Sequence, residues 1–291
     1  MKKKYILCAL LIILTCPHGL SCQERIINGN EVSSADLKWK STVGLITAPS
    51  SDYFQSQFCG GILIDSEWVL TAAHCVQENY QVMAANEIWV YYNSYDLDDL
   101  DKTGKIVHVR QIIPHSSYNE ITDNNDIALL QLSEQVSGIT FLELRITDPS
   151  AGSGAWVAGW GNMSPNGNQF PNKLMEANVS IVDFTICNSE TSYNNSLTEN
   201  MFCAIGRDND KIKDSCQGDS GSPLIIEKQG RYELAGIVSF GGTEENKCAN
   251  EDFPGVYVKV NNYLNWIADT TGLQYDRFPW TMFLPAIIRK K

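Results

Sequence analysis

The chain has 291 residues, of which 43% are apolar and 19% are charged, and its formal net charge is −12 at pH 7. This apolar content is sufficient for one large core or two smaller ones, which excludes a generally disordered chain. The negative charge would repel phosphate backbones and anionic surfaces, so we expect no nucleic-acid binding and a preference for basic partners or basic substrate segments.

The first 22 residues predict export from the cell. Three lysines at positions 2–4 precede an apolar run at 5–14 and a small-residue cleavage zone at 19–22, which is the pattern of a signal peptide. The alternative, an N-terminal membrane anchor, is disfavoured because the apolar run has about half of the ~20 residues that a spanning helix needs. We therefore expect a secreted, extracellular protein without a transmembrane span.

The rest of the chain predicts an all-β fold, because short β-rich runs are separated by Gly, Asn, Pro or Ser turns. Only residues 261–271 have helical spacing, with apolar positions on one face. This pattern is typical of sandwiches or barrels closed by one helix. The predicted strands are 58–64, 68–71, 87–92, 106–113, 127–132, 155–158, 223–226, 234–240 and 255–260.

The cysteines indicate disulfides. Of nine, two lie within the predicted signal peptide and Cys22 lies at its edge, which leaves six in the body of the protein. An even number in an oxidising compartment predicts three bridges. Metal ligation is the weaker interpretation, since neither CxxC pairs nor zinc-like Cys/His spacings occur. The six cysteines are Cys59, Cys75, Cys187, Cys203, Cys216 and Cys248.

Ser220 is a candidate nucleophile because it lies between two glycines in the turn GDSGSP at 218–223. Such runs are also ordinary turn chemistry. A serine hydroxyl needs a neighbouring base and a carboxylate that orients the base. His74 in TAAHC, beside a cysteine, is the favoured histidine, and Asp126 immediately precedes an apolar strand, where an unpartnered charge would be costly. A turn-capping role is the alternative for Asp126.

The segments RIING (25–29), TAAHC (71–75), DIALL (126–130) and GDSGSP (218–223), in this order, resemble the trypsin branch of the chymotrypsin-like serine proteases. The resemblance covers nearly all of residues 26–271. It implies two antiparallel six-stranded β-barrels with a C-terminal α-helix. It also implies that residues 23–25 are a short activation peptide, that the barrels divide near 140–150, and that 272–291 form a C-terminal extension.

The same resemblance assigns functional roles. His74 would be the general base and then acid, Asp126 its orienting partner and Ser220 the nucleophile, while the N–H groups of Gly218 and Ser220 would form the oxyanion hole. Asp214, six positions before Ser220, would bind the cationic P1 side chain, so substrates with Arg or Lys before the scissile bond are expected. The implied S1 pocket residues are Asp214, Ser215, Ser239, Gly241 and Gly255.

Activation and cross-linking are implied as well. Cleavage after Arg25 would free the α-amino group of Ile26, which would pair with Asp219, so the uncut chain would be a zymogen. Because Arg25 satisfies the implied P1 preference, self-activation in trans is a hypothesis. The implied disulfide pairs are Cys59 with Cys75, Cys187 with Cys203, and Cys216 with Cys248.

Several points stay open at this stage. No cofactor or metal is required by the implied chemistry, but Asp96, Asp98, Asp99 and Asp101 lie near the family's calcium loop without reproducing its pattern, so calcium is left open. Glu244 and Glu245 could contact basic residues that flank the cleavage site. Protein protease inhibitors are expected partners. A catalytically silent homologue that acts as a binding module is the alternative to the enzyme.

Overall fold

The computed structural model describes residues 26–98, 103–165, 167–243 and 248–274, whose regular structure is mostly antiparallel strands. The strands of the first half are β1 (Asn30–Glu31), β2 (Thr42–Thr47), β3 (Gln57–Leu63), β4 (Trp68–Thr71), β5 (Gln77–Glu78), β6 (Gln81–Val82), β7 (Ile88–Tyr92), β8 (Lys105–Pro114) and β9 (Ala128–Leu132). Those of the second half are β10 (Glu143–Leu144), β11 (Gly154–Gly159), β12 (Met175–Val182), β13 (Met201–Asp208), β14 (Lys211–Lys213), β15 (Pro223–Lys228), β16 (Arg231–Phe240) and β17 (Gly255–Lys259). The helices are α1 (Tyr53–Ser56), α2 (Phe184–Cys187) and α3 (Leu264–Thr271), with 3-10 turns at Leu37–Trp39, Ala73–Cys75, Ala85–Glu87 and Val260–Tyr263.

The first barrel closes on itself in the order β2-β3-β4-β9-β8-β7. Its strands present aliphatic side chains to a common interior, and β4 and β9 are buried over most of their length. The continuous apolar runs of these two strands are what a strand enclosed on both faces requires. A closed barrel also leaves no unpaired strand edge.

The second barrel has the order β12-β11-β15-β16-β17-β13 and is closed by pairing of β12 with β13. Strand β12 alternates buried and more exposed positions along its whole length, as a strand with one face on a core should. Its buried side chains are Met175, Ala177, Val179 and Ile181. Two six-stranded antiparallel barrels and one C-terminal helix confirm the predicted fold class.

The sequence prediction found nine strands but missed three barrel strands, β2, β12 and β13. Their sequences contain Gly, Ala, Met or Asn at positions where β-branched or aromatic residues would have marked a strand. Their β conformation depends on partners that are distant in sequence, such as the pairing of β12 with β11. Strand β16 is longer than predicted and begins at Arg231, because its hairpin partner β15 continues to Lys228.

The C-terminal helix is shorter than the predicted range of 261–271. The side-chain amide of Asn261 donates to Asp148 Oδ1 (2.7 Å) and that of Asn262 to Asn200 Oδ1 (3.0 Å), and residues 260–263 form a 3-10 turn before α3 starts at Leu264. Asparagine competes in this way with regular helix. Gly272, with φ 75°, ends the helix in the left-handed conformation. No helix within the described ranges is long and apolar enough to cross a membrane.

Candidate active site

The predicted site lies where the two barrels meet. The turn that carries Ser220 precedes β15 of the second barrel. The carbonyl oxygen of Ser220 accepts a hydrogen bond from the N–H of Gly60 on β3 of the first barrel (2.7 Å). A Cβ at Gly60 would lie 1.9 Å from Ser222 Oγ, so only glycine permits this approach. Glycine at this position of β3 therefore sets how close the two barrels come at the site.

His74 and Asp126 are in direct contact. His74 lies in the 3-10 turn that follows β4, and Asp126 lies just before β9, the strand that pairs with β4. His74 Nδ1 is 2.8 Å from Asp126 Oδ2, and the backbone N–H of His74 donates to Asp126 Oδ1 (2.8 Å). The carboxylate therefore holds both the ring and the backbone of the histidine, which fixes the orientation of the imidazole.

Asp126 receives a further hydrogen bond from the second barrel. Ser239 Oγ on β16 donates to Asp126 Oδ2 (2.5 Å), so the buried carboxylate is contacted by both halves of the fold. The sequence analysis placed Ser239 only in the wall of the S1 pocket. Its contact with Asp126 was missed because the two residues are 113 positions apart.

The loop before Asp126 is fixed by the second barrel. Asn124 Oδ1 accepts from Thr198 Oγ1 (2.9 Å) and from Asn200 Nδ2 (3.0 Å), and Asn125 Oδ1 accepts from the hydroxyl of Tyr263 (3.0 Å). Asn125 has a positive φ of 60°, which asparagine tolerates better than most residues. These asparagines, which the sequence analysis did not single out, hold the carboxylate in place.

The electrostatics of the pair are those of a mutually stabilised histidine and carboxylate. Burial alone would lower the pKa of His74, but the charge and hydrogen bond of Asp126 raise it above its ordinary value. Burial would likewise raise the pKa of Asp126, but His74 and the hydrogen bonds from Ser239 and the His74 backbone lower it. The pair therefore favours an ionised aspartate and a histidine of increased basicity.

The Ser220 turn depends on two glycines with positive φ, Gly218 (91°) and Gly221 (80°). A Cβ at Gly221 would lie 2.2 Å from Thr71 Oγ1 and 2.4 Å from the carbonyl oxygen of Gly60. Among the described residues, neither the N–H of Gly218 nor that of Ser220 donates a hydrogen bond, and the Ser220 hydroxyl has no hydrogen-bond partner. The structure thus brings His74 and Asp126 into contact, while the Ser220 turn packs against Gly60 on β3 and Thr71 at the end of β4 and makes no hydrogen bond to His74.

Asp214 is buried with one carboxylate oxygen unsatisfied. Asp214 Oδ2 accepts from the N–H of Ala249 (2.9 Å), whereas Oδ1 has no hydrogen-bond partner in the described chain. Burial, offset only in part by backbone hydrogen bonds, raises the pKa of Asp214 to about 7. An orphaned buried carboxylate oxygen is costly for the protein and would be stabilised by a hydrogen-bond donor, most strongly by a cationic one.

Two glycines open the space in front of Asp214. A Cβ at Gly255 would lie 2.6 Å from Asp214 Oδ1, and a Cβ at Gly241 would lie 3.1 Å from the Cα of Gly255. Ser215, beside the acid, has its hydroxyl 3.1 Å from that of Tyr257. Gly255 therefore lies against this carboxylate beside Ser215, and Gly241 packs against Gly255, whereas Ser239 is directed toward Asp126.

Asp219 occupies a second buried acidic position. Its Oδ1 accepts from the N–H of Gly161 (2.7 Å) and its Oδ2 from that of Cys216 (2.9 Å). Burial raises the pKa of Asp219 to about 7, because two neutral donors do not replace full hydration. Ile26 is completely buried in the core of the second barrel.

The three implied disulfides are all formed, Cys59–Cys75, Cys187–Cys203 and Cys216–Cys248. The one group of three potential metal ligands in the described ranges is Cys59, His74 and Cys75. Both of its sulfurs are in a disulfide, so they cannot act as thiolate ligands.

In the described part of the acidic segment 96–101, Asp96 and Asp98 accept hydrogen bonds from groups of the protein. Asp96 Oδ1 accepts from the N–H of Asp98 (3.0 Å), and Asp98 contacts the side-chain amide of Asn172. Other expectations fall on residues outside the described ranges: the signal peptide, the activation peptide with Arg25, Asp99, Asp101, Glu244, Glu245 and most of the C-terminal extension (275–291).

A cavity of about 610 Å³ lies beside His74. Its walls come from both barrels, with Phe58 and Met83 on one side and Ser239 and Phe240 on the other. Acidic side chains also line it, at Glu78, Glu120 and Asp123. Phe240 packs edge-on against Tyr193 (5.8 Å between ring centroids). The arrangement is suited to an extended chain that contacts both barrels at once.

Comparisons with known proteins agree with this geometry. The family model for trypsin matches residues 26–267. Trypsin I-P1 of Gallus gallus is 39% identical over 73% of this chain and 79% of its own length, and trypsin of Xenopus laevis is 36% identical over 79% and 87%, respectively. Serine protease 1 of Homo sapiens is 34% identical over 73% and 79%. Since the family model spans both barrels and the relatives exceed 30% identity over most of their length, the chain belongs to the trypsin family of serine endopeptidases.

Proposed function

We propose that the protein is a secreted zymogen that, once cut at Arg25-Ile26, hydrolyses polypeptides after arginine or lysine through His74, Asp126 and Ser220. One observation carries the proposal. His74 Nδ1 is paired at 2.8 Å with the buried Asp126, and Gly221 of the Ser220 turn packs against Thr71, three residues before His74. A silent homologue would have no need for a buried carboxylate held by donors from both barrels.

In the proposed reaction, His74 takes the proton of Ser220 Oγ as the oxygen attacks the substrate carbonyl carbon. The tetrahedral oxyanion accepts hydrogen bonds from the N–H groups of Gly218 and Ser220, each worth about 3 kcal/mol in the transition state. His74 then protonates the leaving amine, which departs with the C–N bond electrons, and an acyl-enzyme remains on Ser220. Water, deprotonated by His74, releases the acid and restores the serine.

Substrate choice is assigned to Asp214. The unsatisfied Oδ1 would accept a hydrogen bond from a guanidinium or ammonium group that enters between Gly241 and Gly255. The bound cation would also lower the raised pKa of Asp214, so that binding and ionisation support each other. A neutral P1 side chain without a hydrogen-bond donor would leave Asp214 Oδ1 without a partner.

Activation is assigned to Asp219. The free α-amino group of Ile26 would supply the cation that Asp219 lacks, and would lower its pKa from about 7. The Cys216 N–H already binds this carboxylate, so the pairing would act on the same segment that carries Gly218 and Ser220.

The division of the chain into segments is proposed from the sequence. Residues 1–22 would be the signal peptide, 23–25 the activation peptide, 26–271 the protease with its halves divided near 140–150, and 272–291 a C-terminal extension. The proposed chemistry uses only side chains and N–H groups of the chain, so it requires no cofactor, and calcium has no step in it. Protein protease inhibitors that present Arg or Lys to the S1 pocket would be partners.

The test is to cut the purified zymogen at Arg25-Ile26 and to measure hydrolysis of amide substrates with Arg, Lys, Phe or Ala at P1. We expect turnover with Arg and Lys only, and none with Ser220→Ala. Absence of Arg and Lys turnover by the correctly cut chain would refute the proposal.

A further inference from the structure

The end of β16 lies between the cavity beside His74 and the proposed S1 pocket. Gly241 faces Gly255 in front of Asp214, while Ser239 and Phe240 line the cavity. A substrate with its P1 side chain over Asp214 and its carbonyl at Ser220 must carry its P2 residue past this strand end. The P2 side chain would therefore face the cavity, whose lining includes both His74 and Asp123.

The charge of this cavity has one sign. Its carboxylates are Glu78, Glu120 and Asp123, its other titratable side chains are His74 and Tyr118, and no lysine or arginine of the described chain lines it. The Glu120 carboxylate already has partners within the protein. Its Oε1 accepts hydrogen bonds from Gln77 Nε2 (2.9 Å) and from the N–H of Tyr80 (2.7 Å). Glu78 is exposed on β5, where solvent screens it.

Asp123 differs from the other two carboxylates. It is only partly exposed and lies three residues before Asp126, and its one hydrogen bond within the described residues is a long one from the hydroxyl of Tyr118 (3.3 Å). Burial, and then the charge of Asp126, raise the pKa of Asp123 above its ordinary value. The carboxylate would be stabilised by a cation that enters the cavity.

The sequence before the activation bond has a complementary feature. Glu24 precedes Arg25, so it would be the P2 residue when one copy of the enzyme cuts another at Arg25-Ile26. A glutamate placed against Asp123 would bring two like charges together without a compensating cation, which is unfavourable.

We propose that Asp123 makes P2 a second specificity position, at which the enzyme prefers lysine or arginine and rejects glutamate, so that Glu24 protects the zymogen from its own active form. The inference rests on the proposed Arg/Lys specificity and refines it from single basic residues to basic pairs. It also replaces rapid self-activation by a requirement for a different activating protease.

The first experiment compares amide substrates that share P1 Arg and carry Lys, Ala or Glu at P2. The active enzyme is obtained by replacing residues 22–25 with the recognition sequence of an unrelated protease that leaves Ile26 as the N-terminus. We expect kcat/KM to be about tenfold higher for P2 Lys and about tenfold lower for P2 Glu than for P2 Ala. Raising the salt concentration from 0.05 to 0.5 M should reduce both ratios, since the cavity is open to solvent.

The matched variants are Asp123→Asn and Glu134→Gln, which remove the same charge. Glu134 is exposed on the segment after β9 and does not line the cavity. Asp123→Asn should bring the three P2 substrates within about threefold of each other, whereas Glu134→Gln should keep the parent ratios. Equal ratios in the parent, or equal changes in the two variants, would overturn the inference. Failure to cleave any P1 Arg substrate would instead refute the proposed function.

The second experiment uses the inert Ser220→Ala zymogen as the substrate of the active enzyme, with and without Glu24→Lys. We expect the Glu24→Lys form to be cut at Arg25-Ile26 at least tenfold faster by the parent enzyme, and the difference to shrink with the Asp123→Asn enzyme. Equal cutting rates of the two zymogens by the parent enzyme would show that Glu24 does not protect this bond.

Discussion

Replacing Asp214 by asparagine should change activity and stability in opposite directions. The carboxylate is buried, has one unpartnered oxygen and has its pKa raised from 3.8 to about 7. A rise of this size in the pKa of Asp214 corresponds to about 4 kcal/mol of destabilisation of the folded state once the carboxyl group is fully ionised. Because the asparagine amide must itself be buried with incomplete hydrogen bonding, we expect a net gain of about 2 kcal/mol at pH 8.

The pH dependence gives this prediction its sign. Between the unfolded pKa near 4 and the folded pKa of about 7, the folded chain binds the proton of Asp214 while the unfolded chain has lost it. The penalty is therefore absent at pH 4, grows as the pH rises, and is complete above about pH 8. Asp214→Asn should remove this dependence, so that the variant is more stable than the parent at pH 8 and less stable than the parent at pH 4, where only the cost of burying the amide remains.

The assay is urea unfolding at both pH values in a Ser220→Ala background, which prevents self-digestion. Asp210→Asn, at an exposed position, is the charge-matched control and should show no pH-dependent gain. In the active background, Asp214→Asn should lower kcat/KM for P1 Arg by roughly a hundredfold, equivalent to about 3 kcal/mol. A stability difference between parent and Asp214→Asn that is the same at pH 4 and pH 8 would refute the reasoning.

Three further predictions concern the catalytic centre. Ser239→Ala removes the donor to Asp126 and should lower kcat about tenfold, with the folding transition shifted by less than about 2 kcal/mol; an unchanged kcat would contradict a positioning role. Gly221→Ala forces a side chain into φ 80° and should cost at least about 2 kcal/mol of stability, measured by urea unfolding; unaltered stability would argue against the close contact. Because activity requires neutral His74, and Asp126 and Asp123 raise the pKa of His74, kcat/KM should fall with acid through a midpoint above 6.5, and Asp123→Asn should move that midpoint to lower pH. A midpoint unaffected by Asp123→Asn would show that the two groups do not interact.

The local sequence predicted the parts of the site that form within a few residues. The apolar strands around His74 and Asp126 were recognised, as was the glycine turn at Ser220, because turn chemistry and apolar runs are local properties. The resemblance to the trypsin family then placed these segments in one site, and the structure has His74 and Asp126 in hydrogen-bonding contact.

What the sequence could not show depends on long-range contacts. The sequence of β12 alone predicts a strand only weakly, and its pairing with β11 and β13 stabilises the β conformation. Ser239 belongs by sequence to the pocket wall, yet its hydroxyl is directed to Asp126 because two barrels pack there. The position of Asp123 in the cavity likewise follows from the packing of its loop and not from its sequence neighbours.

The hydrogen bonds of Asn124 and Asn125 with the second barrel make the loop before Asp126 depend on residues that are synthesised much later. The partners Thr198, Asn200 and Tyr263 lie 74, 76 and 138 positions farther along the chain, and contacts of such separation form late in folding. An incomplete chain with only its first barrel has His74 and Asp126, but it lacks both Ser220 and the groups that hold the loop before Asp126. In the proposed mechanism, synthesis and folding would have to reach residue 263 before the centre could work, a delay that is independent of any activation peptide.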